Sequence, residues 1–342
     1  MASPKGRTLR NTVALIAVLG CAHTDPGAPS DPHITGAFDP TPPIRLTQNP
    51  GQDQWPAWTP DGRGIWYAFE DLDRSDRDHC LGQLPAAGGT RNISNCPDAP
   101  VAASDSLDVV LSPAARGDRI AWVRVNSPSG GVLPDGGDIV VASIGALATP
   151  TSVRHFPYVS PSGTFHSFGI DLHWLDDSTL AYVGVQMQYN SLSHDTTIAG
   201  QEVALVHLGA GAPTVSVVGG TTGASSLAVD PTAGLLYFTR DGDSRIFELH
   251  LPDTTAATAF DFGGSGAARD VSVQGPRMLA VVGDSFGRGG TVYLIVGGSA
   301  LPVTMPGTFW RHPALRPDGR AFAAQAYDTA TSTYDIFTDL VP

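Results

Sequence analysis

Few stretches of this chain have the residue types and spacing of a reaction centre. Gly283-Asp284-Ser285-Phe286-Gly287 matches G-x-S-x-G, the turn that carries a serine nucleophile from a strand into a helix. Here Arg288-Gly289-Gly290 and an apolar run over 291–296 follow, so the motif reads as a hairpin loop without its helix. Glu70, Asp71, Asp73, Asp76 and Asp78 cluster carboxylates, which suits calcium. The glycine and terminal glutamate of an EF-hand loop are missing, and Arg74 and Arg77 are interleaved. A solvated hairpin loop is one reading of this stretch and a cation site the other. The ten histidines, among them His166, His173, His194, His207 and His250, form no H-x-x-x-H pair. Trp58, Trp122, Trp174 and Tyr237 recur near hairpins and read as core between repeated units rather than as a ligand cage. No cofactor is expected.

The N-terminus has the form of an export signal. Residues 1–21 combine a basic start, a short apolar run over 13–19 and Gly20 before Cys21. The run is too short for a permanent membrane span. Val18-Leu19-Gly20-Cys21 resembles the bacterial lipobox, which implies diacylation of Cys21; an ordinary cleaved signal is the alternative. Residues 22–43 are rich in Pro, Asp, Gly and Ala and read as a disordered tether. Lys5 is the only lysine, so its loss with the leader excludes Schiff-base and phosphate-loop lysine chemistry. The net charge of −13 argues against nucleic acid or an anionic membrane surface as the partner. In an oxidising compartment Cys80 and Cys96 are expected to pair, bridging two strands around an Ala-Ala-Gly-Gly turn; two separate thiols are the alternative.

The elements that would position such residues are strands. Trp55-Pro56-Ala57-Trp58 and Ile65-Trp66-Tyr67-Ala68-Phe69 flank Thr59-Pro60-Asp61-Gly62, where proline presets φ, aspartate bonds its own backbone and glycine takes the positive φ. A near copy, Ala314-Leu315-Arg316-Pro317-Asp318-Gly319, lies at the other end of the chain. Weaker copies between them predict six units of about four strands. The sixth unit stops one strand short, and Ile44-Arg45-Leu46-Thr47 is a strand without a sheet. Pairing it with 334–340 would close a ring and remove exposed edges. The expectation is an all-β, six-bladed β-propeller over 44–342, closed by an N-terminal strand that joins the last blade.

Arg45-Leu46-Thr47, Asn49-Pro50-Gly51 and Pro56-Ala57-Trp58-Thr59-Pro60-Asp61-Gly62-Arg63 resemble the repeat of TolB-like, WD-repeat-like propellers of the bacterial envelope. The resemblance covers roughly 44–342 and departs from TolB in lacking its N-terminal α/β domain. It implies the fold and the compartment. The expected function is a non-catalytic, lipid-anchored envelope protein, in the periplasm or at the outer membrane, that binds a protein or peptide. Membrane contact would come through the lipid anchor only. Trp55, Asp71, Asp73, Arg311 and His312 are the residues expected in loops of the binding face. The alternative is a propeller enzyme or carbohydrate-binding protein working at the channel mouth, as in metal-dependent polysaccharide lyases of related fold.

Overall fold

The computed structural model describes residues 43–342 except 49, 73–78, 97–105, 129–136, 158–163, 191, 194, 265, 284–288, 305–308 and 330. The lipobox, the tether up to residue 42, Asp73 and most of the G-x-S-x-G stretch therefore lie outside the described residues.

The described residues form antiparallel strands. After β1 (Ile44–Arg45) the first sheet holds β2 (Asp53–Trp58), β3 (Gly64–Glu70), β4 (His79–Pro85) and β5 (Ile93–Asn95). The second holds β6 (Ser106–Arg116), β7 (Arg119–Pro128), β8 (Gly137–Ser143) and β9 (Thr151–Phe156). The third holds β10 (Thr164–Asp176), β11 (Thr179–Asn190), β12 (Asp195–His207) and β13 (Thr214–Val217). The fourth holds β14 (Ala224–Asp230), β15 (Leu235–Arg240), β16 (Arg245–His250) and β17 (Ala257–Asp261). The rest of the chain supplies β18 (Ala267–Gln274), β19 (Arg277–Gly283), β20 (Gly290–Val296), β21 (Ser299–Pro302), β22 (Trp310–Leu315), β23 (Ala321–Asp328) and β24 (Thr333–Leu340).

The sequence predicts six separate sheets, and here the structure differs. Four sheets are four-stranded, while β18–β24 and β1 make one eight-stranded sheet in the order β1-β24-β23-β22-β20-β19-β18, with β21 on β20. One residue pair, Gly290 with Trp310, joins its halves. Gly289 makes that approach possible: a Cβ there would stand 2.5 Å from the Trp310 carbonyl oxygen. In the third sheet β10, β11 and β12 run 13, 12 and 13 residues and include polar Thr-, Gln- and Ser-rich stretches. β11–β12 pairing from Thr179–His207 to Asn190–Asp195, broken by one register shift at Gln186/Met187, holds those polar residues in strands.

The hairpin turns follow their local chemistry. Gly62 N donates to Thr59 O at 2.9 Å, and Asp61 Oδ1 accepts from Arg63 N at 3.1 Å. Gly62 sits at φ 68° and Gly319 at 69°, and Asp318 Oδ1 accepts from Arg320 N at 2.9 Å. Asp176 and Asp230 serve their own turns in the same way.

Apolar clusters lie between successive units and return to the start. Trp66 and Leu81 meet Val110, Ile120 and Trp122. Val123, Ile139 and Phe156 meet Trp174 and Tyr182. Val183 and Val203 meet Leu227 and Phe238. Ala228 and Ile246 meet Val271 and Met278. Leu279 and Val281 meet Trp310 and Phe322. Ile336 and Ala323 then meet Ile65, Tyr67 and Phe69 of the first sheet, with Leu46 between them. Period-2 alternation sends Ile65 and Tyr67 one way and Trp66 and Ala68 the other, so β3 is buried on both faces. The result is an all-β propeller.

β1 pairs with β24, Ile44 opposite Thr338 and Arg45 opposite Phe337. The pairing continues as Leu46 N donates to Ile336 O at 2.7 Å and Ile336 N donates to Thr47 Oγ1 at 2.8 Å. Arg45 forms an ion pair with Asp335, whose side chain is fully buried, and lies 3.6 Å from Asp328. A disulfide joins Cys80 to Cys96, linking β4 to the residue after β5.

Candidate functional site

The innermost strands are β2, β6, β10, β14, β18 and β22, and together they line a cavity of about 280 Å³ on the propeller axis. Each of these strands has a break in register, at the start of β14 and within the others: Gln54/Ala57, Leu111/Ala114, Ile170/His173, Ala224/Ser226, Arg269/Ser272 and Arg311/Ala314. At five of the breaks a residue other than glycine takes a positive φ: Trp55 at 59°, Ser112 at 48°, Asp171 at 51°, Asp270 at 46° and His312 at 46°. Such a conformation costs on the order of 1 kcal/mol or more for each residue. Bulges re-aim side chains, and these five residues all border the axial cavity.

Trp55 and His312 thus lie in strands β2 and β22 rather than in the expected loops, as does Arg311. The bulges bring them together, with the Trp55 and His312 rings 3.6 Å apart at 31°. Asp71 lies elsewhere, just after β3, with Oδ2 3.8 Å from Cys96 Sγ. Asp71, Cys80 and Cys96 are close enough to suggest a metal site, but both sulfurs are committed to the disulfide and are not thiolate ligands. Trp58 and Trp174 are core, their indole N–H groups donating to Ala314 O at 2.8 Å and Ala114 O at 3.0 Å in neighbouring units.

Polar side chains near the bulges accept backbone N–H groups of an adjoining unit. Ser112 Oγ accepts from Asp171 N at 2.9 Å, and Asp171 Oδ2 accepts from Leu227 N at 3.2 Å. Ser226 Oγ accepts from Val271 N at 3.3 Å, and Asp270 Oδ2 accepts from His312 N at 3.1 Å. Gln325 Oε1 accepts from Trp55 N at 2.8 Å. These bonds satisfy buried donors that the broken ladders leave open.

The charged residues converge at one level of the channel. Arg311 Nη2 donates to Asp270 Oδ1 at 3.1 Å, and its Nε pairs with Oδ2. His312 Nδ1 lies 3.7 Å from Asp270 Oδ1 and 4.0 Å from Asp171 Oδ1. Burial, and then the nearby Asp270 charge, push the Asp171 carboxyl up to about 8. Burial also pushes Asp270 upward, but Arg311 and His312 outweigh it and hold that carboxyl well below the usual range. His312 is pushed down to about 3 and His173 to about 4, in both cases chiefly by burial.

These shifts set a pH optimum for stability. Buried His79, His173 and His312, with values near 4, 4 and 3, refuse protons that the unfolded chain takes up below about 6.5. Their stability is present above 6.5 and is lost as pH falls toward 4. Asp171, near 8, and Asp335, near 6 mainly through burial, do the reverse. They keep protons that the unfolded chain releases above about 3.8, so their stability is lost as pH rises through those values. The unfolded chain holds about one more proton near pH 5, and the folded chain about half a proton more near pH 7.5. Unfolding free energy is therefore expected to peak between about pH 6 and 7, falling by about 1 kcal/mol per pH unit on the acid side and about half as steeply on the alkaline side. Urea titrations from pH 4 to 9 measure this, with Asp171→Asn expected to flatten the alkaline arm and to steepen the acid arm, where the proton kept on Asp171 otherwise offsets one histidine. A profile that rises steadily through pH 8 would contradict the assignment.

Asp171, Asp270, His173, Ser112 and Ser226 are absent from the sequence-based set. Their signal is positional: Ser112 and Asp270 lie five residues before the turn glycines Gly117 and Gly275, and Trp55 and His312 seven before Gly62 and Gly319. Aligning the units on their turns therefore groups Ser112 with Asp270 and Trp55 with His312.

The fold is similar to that of regucalcin, a calcium-binding protein of Agrobacterium tumefaciens, at 14% identity over 88% of this chain and 93% of that one, TM-score 0.55. It is also similar to a gluconolactonase of Xanthomonas campestris, at 12% identity over 87% and 89%, TM-score 0.54. TolB of Acinetobacter baumannii matches at 12% identity over 86% of this chain, TM-score 0.50, and the match spans 65% of that protein. No protein-family profile matches the chain, and no curated protein matches its sequence. At such identities these likenesses carry the propeller fold and no activity.

Proposed function

We propose that this chain is a six-bladed propeller that binds a protein or peptide partner at its channel mouth without catalysing a reaction. In this reading the eight-stranded sheet is two blades joined at the Gly290–Trp310 pair, and the six apolar clusters are the interfaces of the ring. The compartment is the bacterial envelope, with Cys21 as the lipid anchor and the Cys80–Cys96 bridge suited to an oxidising space.

One observation carries the binding reading. The cavity runs from a polar floor to an exposed rim of hairpin turns at Pro60, Pro231, Gln274 and Pro317. Its floor groups are tied to the backbones of neighbouring units, which makes a rigid, preformed recess. A second reading, an enzyme or carbohydrate-binding protein at the same mouth, draws on the opposed shifts of Asp171 and Asp270, since acid and base roles arise where environments push two carboxyls apart.

Photo-crosslinking in intact envelopes separates the two. A crosslinker at Gln274 or Pro317 is expected to yield one discrete protein adduct, while the same group at exposed Val217 on the outer strand yields none. Turnover of an oligosaccharide or lactone panel, lost in Asp171→Asn, would instead establish the enzyme reading.

A further inference from the structure

We infer that the channel floor between Asp171, Asp270 and His312 receives a positively charged side chain, a lysine ammonium or an arginine guanidinium, from a basic peptide segment of the partner. This deepens the binding reading above and rests on it.

The first support is the hydrogen-bond inventory. Asp171 uses Oδ2 for Leu227 N, and Asp270 uses both oxygens for Arg311 and His312 N. Asp171 Oδ1 and His312 Nδ1 face each other at 4.0 Å, beyond hydrogen-bond reach. His312 Nδ1 is also 3.7 Å from Asp270 Oδ1. These side chains are 11%, 11% and 4% exposed, and all three border the cavity. Polar atoms that border a cavity in this way are placed to bond a ligand that enters it. A donor reaching the floor from the mouth would meet a carboxylate oxygen and an imidazole nitrogen brought there by different units.

The second support is charge. The groups that face the floor are Asp171 and His173 from β10, Asp270 from β18, and Arg311 and His312 from β22. β2, β6 and β14 contribute uncharged Trp55, Ser112 and Leu227 to the lining, and β6 also contributes Arg116, whose charge is paired with Asp177 Oδ1 at 2.6 Å. Arg311 is bonded to Asp270 and only partly offsets Asp171, so burial, and then the Asp270 charge, keep a proton on Asp171. An entering cation would displace that proton. The Trp55 ring, beside His312, adds an aromatic face, which attracts organic cations.

The third support is the fit against a metal ion. Calcium asks for six to eight oxygen ligands and magnesium for an octahedron. His312 Nδ1 lies within reach of an oxygen of each channel carboxylate, but among the described residues the single trio whose ligand atoms all lie within 4.8 Å of one another is the one at Asp71. A cavity of about 280 Å³ holds one long side chain and no folded element. The acidic chain, at −13, draws basic segments toward it.

Titration calorimetry on the folded protein tests the inference with N-acetyl-lysinamide, N-acetyl-argininamide and the neutral N-acetyl-norleucinamide. The cationic probes are expected to bind at pH 7, with close to one proton released per molecule bound, and the norleucine probe at least tenfold more weakly. Asp171→Asn, an isostere of the protonated side chain, is expected to fold and to weaken the cationic probes about tenfold. Equal binding of the neutral probe, unchanged affinity in Asp171→Asn, or displacement of the probes by calcium or manganese would each overturn the inference. A protein adduct at the rim without probe binding would overturn this inference alone, whereas oligosaccharide or lactone turnover would overturn the binding reading beneath it.

Discussion

Asp270→Ala is expected to lower the unfolding free energy by about 3–5 kcal/mol. The carboxylate is 4% exposed and holds Arg311, itself 22% exposed, through both oxygens. It also accepts the backbone N–H of His312 at the next bulge. Removing it takes from the Arg311 guanidinium and the His312 N–H the carboxylate they both donate to, and breaking a buried pair costs far more than the pair contributes. Alanine also tolerates φ 46° less well than aspartate. Arg311→Ala should cost a similar amount, because it strands the carboxylate. The double variant should then lose clearly less than the sum of the two. Urea unfolding of the four proteins measures the coupling, and additive losses would mean that the two side chains act independently.

The second large effect concerns closure. A chain without residues 1–40 is expected to melt with the full chain, and a chain without residues 1–48 about 10 °C or more lower. The shorter deletion spares every described contact of this segment, since pairing begins at Ile44. The longer one removes Leu46, which is fully buried between the first and last units, at roughly 2–5 kcal/mol. It also takes Arg45 and Thr47 from Asp335, whose buried carboxyl then loses its cation and a hydroxyl. The backbone bonds from Leu46 N and to Thr47 Oγ1 go with them. Equal melting points would show that β1 does not hold the ring.

The contrast between these two predictions marks how far the sequence is legible. β1 as the partner of β24, the Cys80–Cys96 pair and the Pro-Asp-Gly turns are all readable from the chain alone. Turn chemistry is local: proline, aspartate and glycine set φ and bond their own backbone whatever the rest of the chain does. Strand alternation and a unit one strand short are properties of the linear order, so they determine the all-β repeat and point to its closing strand.

What lies on the axis is another matter. Asp171, Asp270 and His312 are separated by 99 and 42 positions, and nothing near any one of them names the others. They meet because each unit has a bulge at the same depth and the ring turns those bulges inward. Arg311 and His312 look like loop residues from their polarity, and burial of that polarity is offset across units by Asp270. The strands of the third sheet and the Gly290–Trp310 junction are likewise tertiary outcomes, since polar residues are held in strands by their neighbours and glycine permits a close approach only where another backbone arrives. The linear order thus determined the elements and their closure, while the tertiary structure decided which side chains share the channel, because convergence depends on distances that exist only once the ring is complete.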